Sequence, residues 1–396
     1  MAKHALLSAS SSSRWLNCPP SVKLEEGFEN TTSVFAEEGT LAHELGEIAL
    51  RLNLGEFTKR KYSLQLAKIM ENELFTKDMP DYVDMYVDTC MEKLSEAKAT
   101  TPDAIAIVEQ KLDFSNWVPD GFGTGDFVII ADGTMEICDL KYGKGVQVSA
   151  KDNSQMRLYA LGAISQFEFL YDIQNVKMTI IQPRLDSIST DEMTIIQPRL
   201  DSISTDEMAI EELLKWADEV VKPTAELAIK GEGEFCTGDH CKFCRAKAVC
   251  RARADKNMEL AQYEFQKPPT LDNNDIGFIL NRVDELTSWA KDVKEYALNQ
   301  ALKGEEFDGF KVVEGKSNRK WTNEKAVGDI LIEQGFLENI IYTKKLTGIS
   351  NMETAIGKKE VNRLLGNYIV KPQGKPTLAS ETDKRPVFNP AKADFE

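Results

Sequence analysis

Asp126, Asp139 and Lys141 are the residues whose types and spacing point most directly to chemistry. They flank Asp132-Gly133, which separates two apolar runs, 126–130 and 135–141, a strong hairpin signal. A hairpin centred there sets Asp126 opposite Asp139. Facing Cβ atoms lie about 4.5–5.5 Å apart, and like charges at that spacing repel. Lys141, two residues beyond Asp139, shares its face. Two carboxylates beside an ammonium group make a site for a hard divalent cation, Mg2+ or Mn2+. Phosphodiester hydrolysis uses such a cation to polarise the phosphoryl oxygen and activate a water. The lysine then positions that water or offsets charge in the transition state. A solvated hairpin face with an incidental Asp–Lys pair fits the same residues, because exposed ion pairs are common and weak.

Further groups bear on the choice. Gln155 and Tyr159 stand four apart in a helical pattern, so an amide and a phenol lie side by side. Both bind phosphate oxygens or bases, although a helical Tyr is more often core. His43 shares a helix face with Glu47, a partner able to orient a metal ligand. Glu109 reads as a further ligand or as an exposed strand residue, with the second favoured. Cys241-x-x-Cys244-x5-Cys250, with Cys236 and His240 beside it, has metal-binding spacing. Four local thiolates suit tetrahedral zinc, whereas a distant Cys18 suits an iron–sulfur cluster. Seven cysteines, an odd count, fit metal binding better than a disulfide framework.

The elements that must position these groups follow from periodicity. Helices are expected at 12–18, 35–52, 80–97 and 152–165, and strands at 104–112, 122–130, 135–141 and 175–182. The order is helix, three strands, helix, strand, an α/β core. A helix at 209–230 leads to the cysteine cluster, and another spans 274–303. Met178–Glu192 recurs without change as Met193–Glu207. Two copies of fifteen residues are no solenoid. Either copy can supply the core strand, and the surplus copy loops out or adds an edge hairpin. Pro268-Pro269 marks a boundary. The expected domains are 1–267, a mixed α/β region at 268–370 and an extended tail at 371–396.

Composition narrows the class. The chain has 396 residues, 42% hydrophobic and 28% charged, as in soluble globular proteins. No apolar run approaches the ~20 residues that span a bilayer, and the N-terminus lacks a signal peptide's apolar stretch. The cytoplasm is the expected compartment. A net charge of −16 argues against a protein that coats DNA by charge alone. It leaves room for an enzyme whose cation helps neutralise the site.

Taken in order, the helix with His43, the Gly123-x-Gly-Asp126 run, Asp139-Leu-Lys141 and Gln155-x-x-x-Tyr159 resemble the PD-(D/E)XK nuclease superfamily, in its RecB-like branch. With Cys18 and Cys241/Cys244/Cys250 added, residues 12–255 look like the iron–sulfur RecB-like exonucleases. These include the AddB nuclease domain and the CRISPR-associated exonucleases. Within that group the chain is most similar to phage-borne relatives with an added C-terminal region. The resemblance implies a restriction-endonuclease-like αβββαβ core with a helical or mixed C-terminal extension. It implies metal ligation by His43, Asp126 and Asp139, a catalytic Lys141, and Gln155 and Tyr159 at the DNA or supporting the site. It also implies a [4Fe-4S] cluster on Cys18, Cys241, Cys244 and Cys250, with Cys236 not a ligand.

The expected function is therefore a Mg2+- or Mn2+-dependent DNA exonuclease that processes ends in phage recombination or repair. No Walker A pattern is present, so a helicase or single-strand annealing protein would be a separate partner. Lys311, Lys316, Arg319, Lys320, Lys371, Lys375, Lys384 and Arg385 either guide DNA or are solvated surface charges. The rival readings are an inactive DNA-binding or assembly module on the same scaffold, and a zinc-stabilised adaptor.

Overall fold

A computed structural model describes residues 5–29, 34–143, 147–168, 171–185, 202–259 and 273–312, together with Ile332, Val361, Arg363 and Leu364. The chain divides into two compact units, 1–188 with 196–314, and 189–195 with 315–396. The first holds every element discussed below. The mixed region and tail expected beyond 314, and the cations expected there from Lys316 onward, lie outside the described residues apart from the four isolated ones named.

The first unit is built on a five-stranded sheet in the order β1-β2-β3-β4-β5. Its strands are β1 (Ile105–Asp113), β2 (Phe122–Ala131), β3 (Gly133–Leu140), β4 (Ile173–Ile181) and β5 (Ile203–Ala209). β3 and β4 run parallel, and the other pairs are antiparallel. The parallel pair needs a crossover, supplied by α6 (Ser154–Phe167). The α/β order expected from periodicity is present. Gly133 turns the β2–β3 hairpin at φ +76°, a conformation glycine adopts freely. Phe127 pairs with Cys138 and Ala131 with Thr134, the register that sets Asp126 against Asp139.

Helices cover both faces. α3 (Val34–Asn53), α4 (Lys59–Met70) and α5 (Met79–Thr100) bury Leu41, Leu45, Val83 and Val87 against Phe127, Ile129 and Leu140. On the other face α6 packs Met156, Leu158 and Leu161 on Val128, Ile130 and Ile137. α1 (Ser12–Asn17), α2 (Ser21–Glu25) and α8 (Lys222–Lys230) close that layer through Trp15, Val22, Ala225 and Ala228. α8 continues α7 (Ile210–Trp216) through a π-helical turn at Ala217–Val221, so the expected single helix is one rod with an inserted bulge. α9 (Arg251–Met258) meets α10 (Asn273–Leu302) through buried Arg253, whose guanidinium pairs with Glu285 and Asp292 at 2.6 Å each.

The tandem repeat is shared between two strands. β4 takes its last residues from the first copy and β5 takes Ile203–Glu207 from the second. Ile181 pairs with Ile203, and Gln182 N–H bonds the Ser202 carbonyl. β5 is an edge strand, and the surplus stretch of the duplication, 186–201, lies outside the described residues.

Candidate metal centre and cysteine site

The centre forms where β1 and β2 break step. In the β1–β2 ladder Val108 pairs with Phe127 and Gln110 with Gly125, leaving Glu109 opposite Asp126 without a ladder pair. Glu109 has φ +52°, a left-handed conformation that costs a non-glycine residue energy and often marks functional positions. Both strands change face here. Val108 and Phe127 point to the α3–α5 layer, whereas Leu112 packs with the α6 layer. Gly123 and Gly125 present their missing Cβ positions to Tyr159 and Leu112 on that second side, at 2.5 and 2.7 Å. Any larger residue at either glycine would collide. This is the physical content of the Gly-x-Gly-Asp run: the ring of Tyr159 lies against the backbone just before Asp126.

α3 brings His43 to this break, with Nδ1 3.2 Å from Asp126 Oδ2. The same oxygen accepts the Leu140 N–H at 2.8 Å, which ties Asp126 across the sheet to β3. His43, Glu109 and Asp126 each offer one ligand atom within 4.8 Å of the other two. Among the described residues they are the one group so gathered. Burial disfavours the imidazolium, but Asp126 and then Asp139 outweigh it and raise His43 to about 9. Burial, chiefly, and the Asp126 carboxylate lift Glu109 to about 7. These shifts are the signs of anionic and imidazole groups crowded together.

Asp139 stands beside this triad and is 2% exposed. Lys141 Nζ forms an ion pair with its Oδ2 at 2.8 Å. Lys141 also donates to Gln155 Oε1 at 3.2 Å. Gln155 Nε2 donates to Tyr159 Oη at 3.0 Å and reaches Asp139 Oδ1 at 3.4 Å. Burial opposes the Lys141 charge, yet Asp139 and Asp126 hold its pKa above the ordinary lysine value. Lys141 is therefore an ammonium group at neutral pH, suited to stabilising charge and not to taking a proton. Burial, chiefly, also raises the Tyr159 phenol, which stays protonated.

The structure thus brings His43, Asp126, Asp139, Lys141, Gln155 and Tyr159 into one cluster. It adds Glu109, which the sequence reading set aside. Its signal was its position opposite Asp126, which becomes visible only once the β1–β2 register is known. Glu47, the expected partner of His43, instead pairs with Arg51 at 2.8 Å.

A second cluster lies at the N-terminal helices. Cys18, at the C-terminal end of α1, lines a cavity with Cys236, His240, Cys241, Cys244 and Cys250. Cys241 and Cys244 come from a short 3-10 turn at Asp239–Phe243 and its end, and Cys250 caps α9. Cys18, Cys241 and Cys244 are buried, whereas Cys236 is exposed. Glu25 ties the two segments, pairing with Arg14 at 3.0 Å and accepting the Arg245 N–H at 2.7 Å. His240 bonds the Cys236 carbonyl at 2.9 Å. Its contacts with the Cys18 and Cys241 thiols raise it to about 10. Burial pushes the Cys244 thiol up to about 12. No three of these thiols come within 4.8 Å of one another.

With this geometry in hand, comparison with known proteins places the chain. It belongs to the DUF2800 family. That family, described as "Protein of unknown function (DUF2800)", matches residues 4–194 and 192–386. The two pieces meet inside the tandem repeat of this DUF2800 chain. A solved structure, "Crystal structure of SSO0001", is 14% identical over 64% of this chain and 89% of its own, with a TM-score of 0.26. Among the described residues of this family member, no helix is long and apolar enough to cross a membrane.

Proposed function

We propose that this protein is a divalent-metal-dependent phosphodiester hydrolase acting on DNA, of the RecB-like PD-(D/E)XK kind. One observation carries the reading: the ligand atoms of His43, Glu109 and Asp126 converge within 4.8 Å beside the Asp139–Lys141 pair. The donor set fits a hard or borderline dication. Carboxylate oxygens suit Mg2+ and Mn2+, and the imidazole tilts the preference toward Mn2+. His43, Glu109 and Asp126 would hold the ion, with Asp139 Oδ2 completing the protein side. When bound, the ion supplies Lewis-acid polarisation of the phosphoryl oxygen and a more acidic water.

The chain's own residues do the rest. Asp126 is fixed by the Leu140 N–H, which its Oδ2 accepts from the neighbouring strand. Lys141, kept charged by Asp139, offsets the negative charge that grows on the phosphate as the bond breaks. Gln155 holds Lys141 in place through its Oε1 and is itself held by Tyr159. End processing in phage recombination or repair, with a separate helicase or annealing partner, is the role consistent with this chemistry.

The cysteine cluster supports a [4Fe-4S] group held by Cys18, Cys241, Cys244 and Cys250. A single tetrahedral zinc, with Zn–S near 2.3 Å, draws its sulfurs to about 3.8 Å from one another, whereas no three of these thiols lie mutually within 4.8 Å. A polynuclear cluster accepts a wider ring of ligands. Such a group would be structural, joining α1 to the segment before α9. Iron, sulfide and zinc analysis of protein purified without oxygen tests it: about four irons with sulfide is expected, and zinc alone would refute it.

The function is tested by metal-titrated cleavage of labelled single- and double-stranded oligonucleotides. Cutting is expected with Mn2+ or Mg2+ and not with Ca2+. A parent protein that binds DNA but cuts with none of the ions would establish the inactive-module reading instead.

A further inference from the structure

We propose that the sheet extension beyond the metal centre and the α3–α4 turn form a guide for a single nucleic-acid strand, with Phe57 and Phe122 as stacking platforms. The inference rests on the hydrolase reading above and adds its substrate path and strand preference.

The argument starts from the face change at Glu109 and Asp126. Gln110 reaches across to Gln166 of α6, so Lys111, the next residue, points to the opposite side. Gly123 faces Tyr159 of α6, so Phe122 likewise points away. Lys111, Phe122 and Thr124 therefore share the side on which α3 lies, but beyond the part α3 covers. Lys111 and Thr124 are exposed and Phe122 is half-buried. The result is an open shelf that begins at the metal centre.

α3 and α4 flank the same shelf. Arg51 of α3 bonds the Val108 carbonyl at 3.2 Å, one residue before Glu109. Its guanidinium also stands 5.9 Å from the Phe57 ring. Phe57 is half-buried against the α3–α5 core, and Lys61 Nζ sits over its ring at 3.6 Å. Lys111 Nζ covers Phe122 in the same way at 4.4 Å. Each platform is thus an aromatic ring capped by an ammonium group. A base can take the ring face while the lysine moves to the adjoining phosphate.

Charge points the same way. In a chain of net charge −16, Lys59, Arg60, Lys61 and Lys111 enter none of the ion pairs found among the described residues. Arg51 holds Glu47 and Glu56, and the carboxylate near Lys111, Asp113, accepts the Ser115 N–H and feels the Lys111 charge without closing an ion pair with it. Three of those cations crowd the first turn of α4, where the helix dipole disfavours positive charge. A polyanion lying across the turn relieves that repulsion. Stacking platforms favour unpaired bases, whose faces are free, over a duplex.

The test is fluorescence anisotropy with a labelled oligothymidylate of about 20 nucleotides and a duplex of equal length, in Ca2+. The parent is expected to bind the single strand more tightly. Phe57→Leu and Phe122→Leu, which keep apolar bulk and lose the ring, should each weaken that binding about tenfold. Lys61→Glu and Lys111→Glu should weaken it and lower the salt slope by about 0.7 or more each. Mn2+ affinity serves as the measure of an intact fold. Parent-like strand binding in all four folded variants overturns the inference, as does a parent that prefers duplex or binds neither. Strand binding lost in the variants, with a parent that never cleaves, keeps this guide and discards the hydrolase reading.

Discussion

The two clusters of the first unit are built in contrasting ways. The candidate metal centre draws carboxylate and imidazole groups from a helix and two strands and gathers one possible ligand atom of each within 4.8 Å. The cysteine site draws sulfurs from the beginning of the chain and from a segment more than two hundred residues later, and no three of them lie mutually within 4.8 Å. The first rests on a rigid sheet whose backbone is fully paired on both sides of a local break. The second sits among short helices tied mainly by Glu25, Arg14 and Arg245. A site that must hold a reacting phosphate needs preorganised geometry, and a sheet supplies it. A site that joins distant segments gains by closing a long loop, because it restrains the unfolded chain. Substitutions should therefore separate the two: activity from one, stability from the other.

The largest effect is expected at the centre. Asp126→Asn and Lys141→Ala should lower Mn2+-dependent cleavage by at least about 10³-fold and 10²-fold respectively, with Tm held within a few degrees. Asn can still accept the Leu140 N–H, so the fold survives. A Tm collapse in Asp126→Asn would erase the contrast.

Cys18→Ala should do the reverse. It should strip iron from protein purified without oxygen and lower Tm by several degrees, with cleavage falling only as far as the folded fraction falls. Full iron content in this variant would remove Cys18 from the ligand set.

Metal affinity should rise with pH. The ion needs a neutral His43, raised to about 9, and an ionised Glu109, raised to about 7. Between pH 7 and 9 binding displaces the His43 proton, so affinity climbs by up to about tenfold per unit, and more steeply below 7. Without metal the sign reverses for stability. The His43–Asp126 pair contributes fully below pH 6.5 and is lost as pH passes 9. Calorimetric titration of Mn2+ across this range checks the first, and Tm of the metal-free protein checks the second.

A smaller effect is expected at Gly123→Ala. Its Cβ would fall 2.5 Å from the Tyr159 ring, so overpacking should cost about 1–3 kcal/mol and displace the Gln155–Tyr159 pair. The smallest is removal of residues 186–200, one repeat length. It leaves Gln182–Leu185, Asp201 and Ser202 to join β4 to β5 and should leave Tm and cleavage nearly unchanged. A large loss would give the duplication a role.

Much of the fold was legible in the sequence because its signals are local. Asp132-Gly133 set the β2–β3 register, and the apolar spacing of α3, α5, α6 and α10 placed those helices within one to three residues. α4 was missed because its first turn carries Lys59, Arg60 and Lys61, the reverse of a normal helix start, with only Thr58 as a cap. α9 was missed because cysteine spacing drew the reading there. Glu109 was set aside because its side-chain direction depends on a backbone break at φ +52° that no alternation pattern reveals. Cys18 stands 223 residues before Cys241 (241 − 18), so spacing leaves it and Cys236 as rival fourth ligands, and only the resemblance to a family chooses between them.

The most direct test of the central claim is calorimetric titration of Mn2+ into the metal-free protein and into Glu109→Gln at pH 8, beside oligonucleotide cleavage by both. The account predicts one site in the parent, affinity at least tenfold weaker in Glu109→Gln, and cleavage falling in step. Equal affinity in the two proteins would mean that no cation is held between His43, Glu109 and Asp126.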